Sequence, residues 1–150
     1  MTNTEITQIL SGCVGSIGFG ILFNIRGKRL FAAGFGGLLS WLLYVLFSHR
    51  IQNEIACYFF VALLLGIYSG VLARLLKTPT TAFAITSLIP LIPGGSLYYT
   101  MASAFEGDFA VFLEKAVHTL GLAAALALGI ILAAALTGSA FHLFSRRKAC

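Results

Sequence analysis

IPLIPGGSLYYTM, residues Ile89 to Met101, lies in the middle of an apolar run from Ala82 to Phe105, and its reading decides the fold. Pro90 and Pro93 each remove a backbone donor and clash with the preceding turn, while Gly94 and Gly95 tolerate almost any backbone angle. A continuous helix is therefore not expected here. At about 1.5 Å per residue the run is about 36 Å long, enough to cross a bilayer, and the break falls near its halfway mark. Unpaired N–H and C=O groups are tolerated at that depth only where protein buries them or where they line a wet cavity, and transporters use such places to hold substrate. The segment is the expected functional centre, with Pro90, Pro93, Gly94, Gly95, Ser96, Tyr98, Tyr99 and Thr100 as candidate substrate-binding residues.

Composition sets the class. The chain is 59% hydrophobic and 10% charged, with a mean hydropathy of +0.94, well outside the range of water-soluble domains. It reads as one all-α integral-membrane domain over residues 1–150. The expected spans are Ile6 to Phe23, Leu30 to Phe47, Ile55 to Leu76, Ala82 to Phe105 (broken from Pro90 to Gly95) and Ala116 to Phe144. The first apolar segment follows MTNTEITQ, which lacks the basic n-region of a cleaved signal, so it is expected to remain as a span. There is no tandem repeat or linker to mark a domain boundary.

Five spans put the termini on opposite sides, and the charges say which is which. Arg26, Lys28, Arg29, Arg74, Lys77, Arg146, Arg147 and Lys148 fall on one face; Glu5, Arg50, Glu54, Glu106, Asp108, Glu114 and Lys115 fall on the other. By the positive-inside rule the N-terminus is expected outside and the C-terminus in the cytoplasm. The same distribution assigns the net charge of +5 to membrane orientation and argues against nucleic acid. Small residues recur every fourth position: Gly12, Ser16 and Gly20; Ala33 and Gly37; Gly66 and Gly70; and Gly121, Ala125, Gly129 and Ala133. They allow close helix approach, either within the chain or against a partner subunit.

The chemistry on offer is narrow. No Asp, Glu, Lys or Arg lies in the interior of an expected span, and His49, His118 and His142 are scattered without a hydrolase or metal motif, so no enzyme activity, metal or cofactor is expected. Cys13, Cys57 and Cys150 have no metal-ligand spacing and read as small apolar residues and a tail thiol, although a Cys13–Cys57 disulfide is conceivable. Hydroxyls concentrate around the break: Thr86 and Ser87 before it, then Ser96, Tyr98, Tyr99, Thr100 and Ser103. A half-helix starting near Ser96 would present free N–H groups and a positive dipole end, suited to a carboxylate, with Ser96 as cap or contact. The competing reading is a proline-kinked helix whose hydroxyls satisfy the freed carbonyls. The tyrosines either line a cavity or anchor at the interface. Arg74 and Lys77, three apart on one helical face, are positive-inside anchors or an anion-collecting cytoplasmic mouth. Asn24 is expected to cap the first span. Glu106 and Asp108 read as a solvated loop. His118, beside Glu114, is the group able to titrate near neutral pH.

The run LARLLKTPTTAFAITSLIPLIPGGSLYYTM, Leu72 to Met101, resembles the signature region of the bacterial threonine/serine exporter family, and ILFNIRGKRL with GFGGLLSWLLYVL resembles the segment preceding it. The likeness is to the small subunit of the split, two-component form, similar to small subunits of succinate or dicarboxylate exporters. It implies a subunit of a secondary transporter that works with a larger membrane subunit in the bacterial cytoplasmic (inner) membrane. The implied cargo is a small carboxylate metabolite: threonine, serine or a dicarboxylate such as succinate. A non-transporting assembly subunit is the alternative.

Overall fold

The computed structural model describes the backbone of residues 3–147 and the side chains of residues 3–139, and all its regular structure is helical. The elements are α1 (Asn3–Leu22), α2 (Lys28–Ser48), α3 (Glu54–Leu75), α4 (Thr80–Leu88), a 3₁₀ turn (Ile89–Leu91), α5 (Gly94–Glu106) and α6 (Phe109–Arg147). Four helices, α1, α2, α3 and α6, are long and apolar enough to cross a membrane alone; α4 with its 3₁₀ turn and α5 qualify together, bent by 55°.

Helix register fixes how that bent pair counts. Gly121 lies against Ile55, Gly129 against Ala62 and Leu63, Gly66 against Ala133, and Gly70 against Thr137. Residue numbers rise together along both helices, so α3 and α6 run parallel. Two parallel helices need one intervening crossing, which makes α4–α5 a single broken span and gives five crossings.

These contacts also show where the small-residue stripes go. Ser16 sits against Gly37, Gly20 faces Leu30 and Ala33, and a methyl added at Gly36 would collide with the Ser87 hydroxyl. The stripes pack within the chain, helix on helix, as expected where lipid offers no hydrophobic drive.

Local chemistry sets the helix ends. At α1 the amide of Ile25 bonds to Gly20 O and that of Asn24 to Ile21 O, with Asn24 left-handed at φ 58°. Thr78 and Lys77 repeat the pattern on Ala73 O and Arg74 O, with Lys77 at φ 48°. Both are Schellman closures. Asn24 therefore caps α1 through its backbone conformation. Lys77 has turned off the helix and does not share a helical face with Arg74. Asn53 starts α3 by accepting from the amides of Ile55 (3.0 Å) and Ala56 (3.4 Å).

The last span differs from expectation. Gly107, left-handed at φ 81°, ends α5, and Asp108 Oδ1 accepts from the Val111 amide at 3.2 Å. Asp108 is thus a helix cap rather than part of a solvated loop, and α6 starts at Phe109 instead of Ala116. Glu114 and Lys115, expected in a connection, are helical. Cys13 and Cys57 are free thiols, with Cys57 buried and its Sγ 3.7 Å from Tyr44 O. The side chains of His142, Arg146, Arg147, Lys148 and Cys150 lie outside the described set.

Candidate functional site

The break is made by the prolines. Ile92 is extended (φ −61°, ψ 127°) and Pro93 follows at φ −75°, ψ 57°, which turns the chain before α5 begins at Gly94. Gly94 and Gly95 then sit in the first turn of α5 in ordinary helical geometry, and neither has another group within 4 Å of where a Cβ would stand. Their lack of a side chain leaves the helix start uncovered. No side chain caps it. Ser96 is the third residue of α5 and not its cap.

Pro90 creates a specific deficit. A residue at position 90 with an N–H would donate to Thr86 O, four residues earlier; proline leaves that buried carbonyl without its helical donor. Ser16 Oγ, from α1, donates to Thr86 O at 2.8 Å and replaces it. Ser16 and Thr86 are both fully buried. Thr86 Oγ1 in turn donates to Ala82 O at 2.9 Å. Ser69 and Ser87 are buried hydroxyls with no hydrogen-bond partner.

The candidate residues separate onto two sides of the break. Pro90, with Ile89, lines a cleft of about 450 Å³ against α1 and α2, rimmed by Gln8 and Trp41, whose Nε1 donates to Gln8 Oε1 at 3.3 Å. Ser96 and Tyr99 line another, of about 580 Å³, with Ile55 of α3 and Glu114, Lys115, Val117, His118 and Thr119 of α6. Thr100 is buried beneath Ser96, its hydroxyl donating to Ser96 O at 2.8 Å and meeting Thr119 Oγ1 at 3.0 Å. Tyr98 is 69% exposed and in neither cleft. Leu88 and Leu91 pack in one cluster with α3 residues 57–65 and with Leu122 and Ala125. The break therefore lies nearer the start of α3 than the centre of the bundle.

At the opposite end a cleft of about 340 Å³ is lined by Asn24, Arg26, Arg29, Thr78 and Pro79. Arg74 and Lys77, the candidate mouth, are not among its walls. Arg29 Nη2 donates to Leu76 O at 3.1 Å, covering the end of α3.

One pairing differs from the sequence reading. His118 was expected beside Glu114, four residues earlier; its Nε2 instead lies 3.4 Å from Glu54 Oε2, on α3. No group of three or more His, Cys, Asp or Glu side chains gathers for a metal among the described residues.

The model of the family described as threonine/serine exporter, ThrE, matches residues 8–136, so it takes in most of the bundle, part of every helix, and the whole of the break. The chain belongs to the threonine/serine exporter family. No curated protein and no solved structure matches it. As a member it is a multi-pass membrane protein of a transporter family, consistent with the lack of an enzyme motif. The residues that sequence reading missed in this exporter are those paired across helices: Ser16 with Thr86, and Glu54 with His118. A faint signal existed for the first, since Pro90 implies an orphan carbonyl at Thr86, but nothing local names its donor.

Proposed function

We propose that this chain is a subunit of a secondary exporter that moves small carboxylate metabolites, threonine and serine or a dicarboxylate such as succinate, out through the bacterial cytoplasmic membrane together with a larger membrane subunit. The carrying observation is the start of α5: an uncapped helix N-terminus, bare of side chains at Gly94 and Gly95, beside the cleft of about 580 Å³. Free N–H groups and the positive dipole end favour a carboxylate there. Ser96 and Tyr99 are contacts in the cleft, Thr100 supports Ser96 from beneath, and Pro90 and Pro93 hold the helix start open.

The orientation follows from charge. Arg26, Lys28, Arg29, Arg74 and Lys77 gather at the end of the bundle where α1 and α3 finish, while Glu5 and Glu54 lie at the end where they begin. The N-terminal end then faces outward and the C-terminus the cytoplasm. The apolar hairpin of α5 and early α6, where Met101, Phe105, Phe109 and Leu113 are all more than half exposed, offers a face to the larger subunit or to lipid. The alternative, a pure assembly subunit, drew on the Gly66–Gly70 face, and α6 already covers that face.

The test is efflux of labelled threonine, serine and succinate from preloaded cells carrying the chain with and without a candidate larger subunit. Efflux requiring both chains is expected and identifies the cargo. Efflux from this chain alone removes the partner, and none in either case removes the transport reading.

A further inference from the structure

Two of the clefts open onto the same pair of helices, away from the start of α5. One, of about 340 Å³ at the basic end, is walled by Phe23, Arg26 and Arg29 with Ala82 of α4; the other, of about 450 Å³, is walled by Gly12 and Gly15 of α1 with Ile89 and Pro90. Helix periodicity joins them. On α1, Phe23, Phe19 and Gly15 stand four residues apart, and on α4 and its 3₁₀ turn Ala82, Ile85 and Ile89 follow at three and four, so each set lies on one helical face. Phe19, Phe23 and Ile85 are 41–50% exposed, and a Cβ at Gly15 would meet nothing within 4 Å. Both faces flank the bond from Ser16 Oγ to Thr86 O, which holds α1 against α4. The two helices thus enclose an apolar groove, roughly 12 Å from Phe23 to Gly15 at about 1.5 Å per residue, that is cationic at one end.

The arginines are placed by the backbone around them. Ile25, 7% exposed, packs with Ala33, Ala73 and Phe83 and anchors the connection, while left-handed Asn24 (φ 58°) and Gly27 (φ 63°) turn the chain on either side. Arg29 gives one N–H to Leu76 O at 3.1 Å and keeps its other donors. No carboxylate side chain answers them. The acidic residues of the chain, Glu5, Glu54, Glu106, Asp108 and Glu114, all lie at the other end of the bundle, where α1, α3 and α6 begin.

We propose that the groove between α1 and α4 is a binding site for one anionic phospholipid, its phosphate at Arg26 and Arg29 and an acyl chain along Phe23, Phe19 and Ile85 toward Gly15. Charge complementarity selects this occupant. The ends of the spans lie at headgroup depth, where arginines meet lipid phosphates and guanidinium forks match their oxygens. Basic pockets between membrane helices take anionic headgroups for this reason. A soluble anion would use the arginines and leave the apolar track empty, whereas a phospholipid uses both. The site is separate from the cleft at α5 and holds whatever the chain carries.

The test is native mass spectrometry of the detergent-purified full-length chain with dioleoyl phosphatidylglycerol, dioleoyl phosphatidylcholine, dihexanoyl phosphatidylglycerol and inorganic phosphate as probes. The wild type is expected to hold one dioleoyl phosphatidylglycerol about thirtyfold more tightly than the choline lipid, the gain from two arginines at a headgroup. Arg26→Gln/Arg29→Gln should lose that preference, and Arg26→Gln alone, which leaves the Arg29 bond to Leu76 intact, should lose part of it. Gly15→Phe fills open space, so its thermal unfolding should match the wild type. It should bind dioleoyl phosphatidylglycerol about tenfold more weakly, the loss of about two buried methylenes, and the dihexanoyl lipid unchanged. Equal retention of the two dioleoyl lipids by the wild type overturns the proposal, as does a preference that survives both arginine variants or full affinity in Gly15→Phe. Inorganic phosphate binding as tightly as the lipid would make the basic end a site for soluble anions, and release of the lipid on adding a candidate larger subunit would give the groove to that subunit; either result overturns it too.

Discussion

Up to Leu91 the fourth crossing is wedged among α1, α2 and α3, with Phe83, Thr86, Ser87 and Leu91 fully buried; from Gly94 onward it packs chiefly on α6, and only Thr100 and Ser103 are buried. The two halves adjoin in sequence, yet one is core and the other is arm. Part of the difference is their own make-up, since α5 carries Tyr98, Tyr99 and Glu106 and is the less apolar; the rest comes from what faces them. Before the break, Gly36 and Gly37 remove side chains from α2 so that Ser87 and Ser16 can approach, and Ser16 replaces the bond lost to Pro90. After the break there is no such recess, and one hydroxyl contact, Thr100 with Thr119, ties the arm to α6. A segment held by few buried contacts is the one free to move at low cost. A transporter needs one rigid and one movable side around its substrate.

Substitutions can break this contrast at graded strength. The largest effect is expected at Gly37→Leu, whose side chain would meet both the Ser16 hydroxyl and Gly12 O; overpacking of this kind costs about 1–3 kcal/mol or more, and the folded chain should be lost from membranes by immunoblot. Ser16→Ala comes next. It leaves the buried Thr86 carbonyl unpaired at a cost of about 1–3 kcal/mol, visible as a lower midpoint in detergent thermal unfolding. The smallest is Thr119→Val, about 0.6 kcal/mol for one interhelical hydroxyl contact. Its signature is local: amide exchange should rise in α5 and stay unchanged in α4. Equal rises in both halves would mean that the arm and the core are not distinct.

Much of this fold was legible because its signals are local. Apolar run length gave the five crossings, and Pro90 and Pro93 gave the break. The glycines were misjudged: Gly94 and Gly95 look like the flexible joint but are ordinary helix, because the prolines had already turned the chain. The start of α6 was missed because the charges of Glu114 and Lys115 read as a connection between spans, when Asp108 carries the capping signal. The pairings of Ser16 with Thr86, 70 residues apart, and of Glu54 with His118 depend on helix register. Local spacing pointed His118 to Glu114 instead, and only the parallel alignment of α3 and α6 brings Glu54 there. Among the candidate site residues, Ser96 and Tyr99 share a cleft, Thr100 supports it, and Pro90 faces another.

The most direct measurement of the central claim is threonine efflux by the Gly94→Leu/Gly95→Leu chain, co-expressed with a candidate larger subunit and compared with wild type at matched membrane abundance. Both positions open onto empty space, so the variant should fold as the wild type does. Its two side chains would cover the start of α5. Efflux is expected to fall at least about tenfold, the loss from removing about 1.4 kcal/mol of substrate interaction. Efflux at the wild-type rate from a normally folded variant would contradict the account and move the substrate away from the broken crossing.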